Sequence, residues 1–133
     1  MKRLLSIFLL LALFIPSVAA DKLKDIAIQP GETVYARFEI ERKKLRLVGV
    51  SRETDPNAQV IFTTQLDAEK KTLKLKVENK LSKDLVYKVV ISAKSLGLRS
   101  PAVVSPVVAG KVSYESFPGA VEEVLAFDFK FPR

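Results

Sequence analysis

The chain has no cysteine, no histidine and no tryptophan, and only one methionine. Histidine is the usual general base near neutral pH and the commonest ligand of transition metals. With cysteine missing as well, histidine-based triads, thiol chemistry and most zinc sites have no residues to run on. Nor is there a thiol for a disulfide, or for the acylation that a lipoprotein signal requires. Carbohydrate readers stack sugars on exposed aromatic platforms, and here the only candidates are Tyr35, Tyr87 and Tyr114. Only Tyr35 is expected to face outward from a strand, and one ring is not a platform. No cofactor is expected.

At the amino end Met1, Lys2 and Arg3 precede an apolar run from Leu4 to Ile15 broken only by Ser6, and Pro16, Ser17, Val18, Ala19 and Ala20 follow. A positive end, an apolar core and a small-residue exit are the order that the export machinery and its peptidase read. Val18 and Ala20 fill the two small positions, which puts the cut after Ala20 and makes residues 1–20 a cleavable signal peptide. The alternative is an uncleaved anchor. A spanning helix needs about 20 apolar residues, and Pro16 falls where that helix would still be inside the bilayer. The expectation is a periplasmic or secreted domain over residues 21–133, with no transmembrane segment after cleavage. Such a length suits one core that buries roughly two thirds of the unfolded surface. Loss of Lys2 and Arg3 lowers the formal charge from +7 to +5. An exported domain without cysteine points to a bacterial envelope more than to a disulfide-rich extracellular module.

From Asp21 onward apolar residues alternate with period two, and no stretch sustains helical spacing. After the turn at Pro30-Gly31, Val34, Ala36, Phe38 and Ile40 share one face while Tyr35, Arg37, Glu39 and Glu41 share the other. Arg42 to Lys44 make a charged hairpin tip into Leu45–Val50. Asp55-Pro56-Asn57 is turn chemistry, followed by a strand with Val60, Phe62 and Leu66 on one face. Leu73, Leu75 and Val77 face inward from the next strand, and Leu85–Ala93 is hydrophobic enough to be a central strand covered on both faces. Ser100-Pro101 and Ser105-Pro106 suggest edge or irregular segments, because proline cannot donate to a ladder. After the turn at Pro118-Gly119, Leu125, Phe127, Phe129 and Phe131 are expected to face inward from the last strand.

The result is an all-β reading: about seven antiparallel strands at the rhythm of a sandwich. Leu73-Lys74-Leu75-Lys76-Val77-Glu78-Asn79 followed by Leu85-Val86-Tyr87 resembles the strand, asparagine turn and tyrosine-bearing strand of immunoglobulin-like β-sandwich proteins of the bacterial envelope. That resemblance implies an architecture and no activity. A small β-barrel is the competing architecture. The Phe-x-Phe-x-Phe ending is similar to the last strand of outer-membrane barrels, but outward lysines would cost about 2 to 4 kcal/mol each near a bilayer midplane.

Few constellations could carry chemistry. Ser92 and Lys94 make a generic serine–lysine pair at a strand end. Glu122 and Asp128, of like parity on one strand, would stand about 20 Å apart, whereas glycosidase carboxylates need about 5 to 9.5 Å. A carboxylate-dependent hydrolase would need partners from different strands. The basic residues gather at Arg42, Lys43, Lys44 and Arg46 and at Lys70, Lys71, Lys74 and Lys76. They are either solvated tips that blunt edge strands or contacts for anionic lipid or glycan. No aromatic residues interleave with them, so nucleic acid is not expected. Phe117, beside Pro118, either caps the core or stands exposed as an anchor. The leading expectation is a non-catalytic module that binds another envelope protein through an edge strand or loop rim. The alternative is a binder of anionic envelope components through its lysine-rich tips. Candidate binding residues are Arg42, Lys43, Lys44, Arg46, Lys74, Lys76 and Phe117.

Overall fold

A computed structural model describes residues 23–133, so the signal peptide assigned to residues 1–20 and its cleavage point lie outside the described residues. The period-two segments become nine strands: β1 (Asp25–Ile28), β2 (Thr33–Glu41), β3 (Lys44–Ser51), β4 (Val60–Asp67), β5 (Thr72–Asn79), β6 (Val86–Ala93), β7 (Leu98–Ala102), β8 (Val112–Pro118) and β9 (Glu123–Lys130). One turn of 3-10 helix, Lys94–Leu96, ends on Gly97 at φ 66° and leads into β7. No helix among the described residues is long and apolar enough to cross a membrane.

The strands form two antiparallel sheets, ordered β1-β9-β6-β7 and β3-β2-β4-β5-β8. Among the described residues no ladder joins one sheet to the other, so the arrangement is two open sheets rather than a closed barrel. The strands beyond the seven expected include the short β1 and β7, of four and five residues. β7 carries Pro101 and lies at a sheet edge, where a missing N–H costs least.

The core lies between the inner faces. Val34, Ala36 and Phe38 of β2, Val60 and Phe62 of β4, and Leu73, Leu75 and Val77 of β5 are all buried. They meet Ile26 and Ile28 of β1, Tyr87 and Val89 of β6, and Val124 and Ala126 of β9. Burying an aliphatic side chain of this size is worth about 1.5 to 3 kcal/mol. Phe129 stacks on Tyr87 at 6.4 Å and meets Phe38 edge-on at 5.2 Å, while Phe62 meets Tyr87 edge-on at 6.2 Å. The Phe38–Phe129 and Phe62–Tyr87 pairs tie the two sheets together.

Three faces depart from simple alternation. In β9 the buried residues are Val124 and Ala126, not Leu125 and Phe127. Lys88 pairs with Phe127 but Val86 pairs with Lys130, so β9 holds one extra residue there. Asp128 takes it up at φ 56°, a conformation that aspartate tolerates. The bulge reverses the parity and turns Phe129 into the core. Ile40 and Leu66 have the expected parity but are 54% and 50% exposed. Finally, β6 is central in its sheet yet covered on one face only: Val86 and Val90 are half-buried and Lys88 is exposed.

Hairpin geometry places the two basic tips. Glu41 pairs with Lys44, leaving Arg42 and Lys43 as a two-residue turn at φ 51° and 69°. Asn-Gly is the usual choice at such positions. Asp67 pairs with Thr72, and the 68–71 tip ends on Lys71 at φ 54°. Because β2 and β4 run antiparallel, these tips lie at opposite ends of the five-stranded sheet.

Candidate functional site

Two open sheets have four edges, and an unpaired edge invites another strand unless something blunts it. β1 is short. β7 is short and carries Pro101. β3 is interrupted, since Arg37 pairs with Gly49 but Phe38 with Leu47, and it carries Lys44 and Arg46 on its outer face. β8 has none of these protections. It pairs with β5 without interruption over seven residues, has no lysine or arginine, and meets proline only at its last position.

The outer face of β8 presents Val112, Tyr114 and Ser116, with Tyr114 67% exposed. Tyr114 sits opposite Lys76, and Ser116 opposite Lys74. The inner face presents Ser113, Glu115 and Phe117. Phe117 pairs with Leu73 and is only 5% exposed, so of its two expected placements it takes the core one and is no surface anchor. Glu115 Oε2 accepts a hydrogen bond from Ser105 N at 2.8 Å, which ties the 103–111 crossover against β8. Beneath it, burial pushes the Tyr87 phenol well above its ordinary pKa, and the nearby Glu115 charge adds to the shift.

At the other end of β7 and β8 from that crossover, the sheets gape. A cleft of about 180 Å³ opens between β7 and the β8–β9 turn, lined by Ile91, Leu98, Pro118, Ala120 and Val121. Its walls are almost wholly apolar, and Leu98 is 58% exposed although it points toward the sandwich interior. The cleft meets β8 at Pro118, the last residue of the strand.

The sequence-predicted residues do not converge on one site. Arg42, Lys43 and Lys44 occupy the end of the sandwich away from Lys70 and Lys71. Arg46 shares the outer sheet face with Lys74 and Lys76, but two strands intervene and the register sets Arg46 about 20 Å further along the strand axis than Lys76. Arg46 pairs with Glu39 at 2.5 Å, Lys74 with Asp67 at 4.0 Å and Lys76 with Glu78 at 3.7 Å. Only Lys74 and Lys76 border the β8 edge.

The acidic residues are engaged in bracing. Glu122 accepts hydrogen bonds from the Ser95 hydroxyl and from Ser95 N, which hold its carboxyl below the ordinary range. Asp128 pairs with Lys88 at 3.4 Å. Asp55 takes two guanidinium N–H groups of Arg37, at 2.5 and 3.0 Å, together with the N–H of Asn57. That pairing lowers the Asp55 pKa and raises that of Arg37. Ser92 is buried in β6 while Lys94 is exposed in the 3-10 turn.

Sequence reasoning passed over Val112 and Tyr114. One signal was present: Val112–Pro118 is free of basic residues in a chain with 22 lysines and arginines. The chain matches no protein-family model, no curated protein and no solved structure.

Proposed function

We propose that the protein is a non-catalytic binding module, an immunoglobulin-like sandwich exported to the periplasm or beyond, which holds an extended segment of another envelope protein along β8. The observation that carries this reading is that β8 alone of the four edges is neither short, nor interrupted by a bulge, nor guarded by a basic residue, although Glu115 points inward from it. Main-chain hydrogen bonds along such an edge supply affinity, and pockets for alternate side chains supply specificity. The apolar cleft beside Pro118 has room for one branched or aromatic side chain of the partner. Lys74 and Lys76, on the adjoining outer face, favour a segment with acidic residues facing outward.

The test is comparative capture from envelope extract. Wild-type protein is expected to retain a partner that a Tyr114→Lys/Ser116→Lys variant loses and a Lys44→Glu variant keeps. Capture of the same proteins by all three would overturn the assignment to β8.

A further inference from the structure

The end of the sandwich that carries the Arg42-Lys43 turn is unlike the rest of the surface. The β9 exit and the β5–β6 loop arrive at the same end, because Phe129 and Lys130 lie beside Val86 and Leu45. Two adjoining hollows result, of about 530 and 610 Å³, which share Lys43, Phe131, Pro132 and Arg133. Lys44 and Lys130 complete the rim of one and Lys83 that of the other. The single acidic side chain lining them, Asp84, already accepts a hydrogen bond from Ala109 N at 2.9 Å. Among the described residues no ion pair involves Lys43, Lys44 or Lys83.

The same end is apolar beneath its charges. Phe131 and Leu45 are half-buried, and Lys83 Nζ stands 5.4 Å over the Phe131 ring. Ile40, paired with Leu45, is 54% exposed. Lysines at head-group height over partly exposed aliphatic and aromatic side chains form the arrangement that suits an anionic bilayer surface. The backbone at Arg42 and Lys43 is in the left-handed region without glycine or asparagine, so charge is placed there against the preference of the turn. The opposite end carries more acid: Lys70, Lys71 and Lys94 are set among Asp67, Glu69, Glu122 and Glu123, against Glu41 beside the turn and Asp128, 3.9 Å from Lys130, at this end.

We infer that this end, through Lys43, Lys44, Lys83 and Lys130 around Phe131, docks on a membrane surface rich in anionic phospholipid. The inference is independent of the β8 edge, which lies on the side of the sandwich.

Vesicle flotation tests it. The protein is expected to float with vesicles of phosphatidylglycerol mixed into phosphatidylcholine, and not with phosphatidylcholine alone. Each cation close to an anionic surface is worth about fivefold in binding. A Lys43→Glu/Lys83→Glu variant should therefore lose at least about tenfold, while Lys70→Glu/Lys94→Glu, which removes the same net charge at the other end, loses much less. Phe131→Ser is expected to weaken flotation without changing its salt dependence. Equal losses from the two charge-reversed pairs, or no flotation with the anionic vesicles, would overturn the inference. So would full competition by soluble glycerol phosphate, which would mean that an isolated phosphate is read, or retention of the protein by an acidic peptide but not by vesicles.

Discussion

The side chain of Gln59 pairs with the backbone of Phe38 as a strand would: Oε1 accepts from Phe38 N at 2.7 Å and Nε2 donates to Phe38 O at 2.9 Å. The β2–β4 ladder ends at the Ala36–Val60 pair, so beyond it β2 has no neighbour strand on that side. Gln59 fills the gap, anchored by its own N–H to Ala36 O at 3.0 Å and by its carbonyl, which accepts from Lys80 N at 2.7 Å. Replacing it by alanine strands two partly buried backbone groups, at a cost of about 1 to 3 kcal/mol. In urea the Gln59→Ala midpoint is expected to fall with an unchanged slope; an unchanged midpoint would show that solvent satisfies Phe38 equally well.

Asn79 closes the end of β5 in a similar way but inside the protein, at 2% exposure. Its Nδ2 donates to Lys83 O and Val107 O, both at 3.0 Å, and its Oδ1 accepts from Leu81 N at 2.9 Å. Asn79→Ala breaks three hydrogen bonds in a buried site, a loss of about 3 kcal/mol. Asn79→Asp should be worse at neutral pH, because its carboxylate would face two carbonyl oxygens. Protonation restores a donor, so that variant is expected to regain stability as pH falls, which thermal unfolding at pH 7 and pH 4 would reveal.

Gly119 lies against Lys71, the left-handed residue of the β4–β5 tip. Its N–H donates to Lys71 O at 2.9 Å, and a Cβ there would come within 2.8 Å of that same oxygen. Neither backbone can retreat without breaking this bond. Gly119→Ala is therefore expected to cost about 1 to 3 kcal/mol by overpacking. A Gly49→Ala control, whose added carbon would meet only the Arg37 side chain at 3.6 Å, should cost less in the same melt.

The acid limb of stability follows from Asp55. Hydrogen bonds from Arg37 hold its folded pKa below the ordinary carboxylate value, the N–H of Asn57 adds to the effect, and burial opposes both. A depressed acid contributes stability that is fully present above its unfolded pKa, near 3.9, and is lost as pH falls through the lower folded value. Glu122 has the same sign through its bonds to Ser95. Asp55→Asn is expected to be less stable than wild type at pH 7 and to approach it as the pH drops below about 4. A constant gap across the titration would mean that the pairing carries no linkage.

Much of this was legible in the alternation. Val34, Ala36 and Phe38, and again Leu73, Leu75 and Val77, face the core as period two requires, and both charged hairpin tips fall where the pattern breaks. Alternation fails where a local event changes its phase. Every other residue of the last strand is bulky and apolar from Leu125 to Phe131, so nothing in the sequence reveals the extra residue at Asp128 that reverses the faces. Ile40 and Leu66 kept their parity but lack cover, because what packs over a strand face is a tertiary quantity. The candidate site was hidden for a related reason. The alternation assigns no strand to Val112–Pro118, and the pairing with β5 on one side only that makes it an edge joins residues 40 positions or so apart in the chain.

Tyr87 sets the alkaline limb. It is 4% exposed between Phe62 and Phe129, and burial together with the Glu115 charge raises its pKa. For a raised acid the neutral form is the folded form. Its contribution is complete below the unfolded value of about 10 and is lost as pH climbs toward the folded one. Wild-type stability should therefore fall between pH 9 and 11, on the order of the unfolded tyrosine pKa, as the unfolded chain sheds a proton that the folded chain keeps. Tyr87→Phe retains the ring contacts with Phe62 and Phe129 and removes the proton, so its curve is expected to stay flatter over that range. If Tyr87→Phe falls as steeply as wild type in urea titrations, the alkaline loss does not come from the buried phenol.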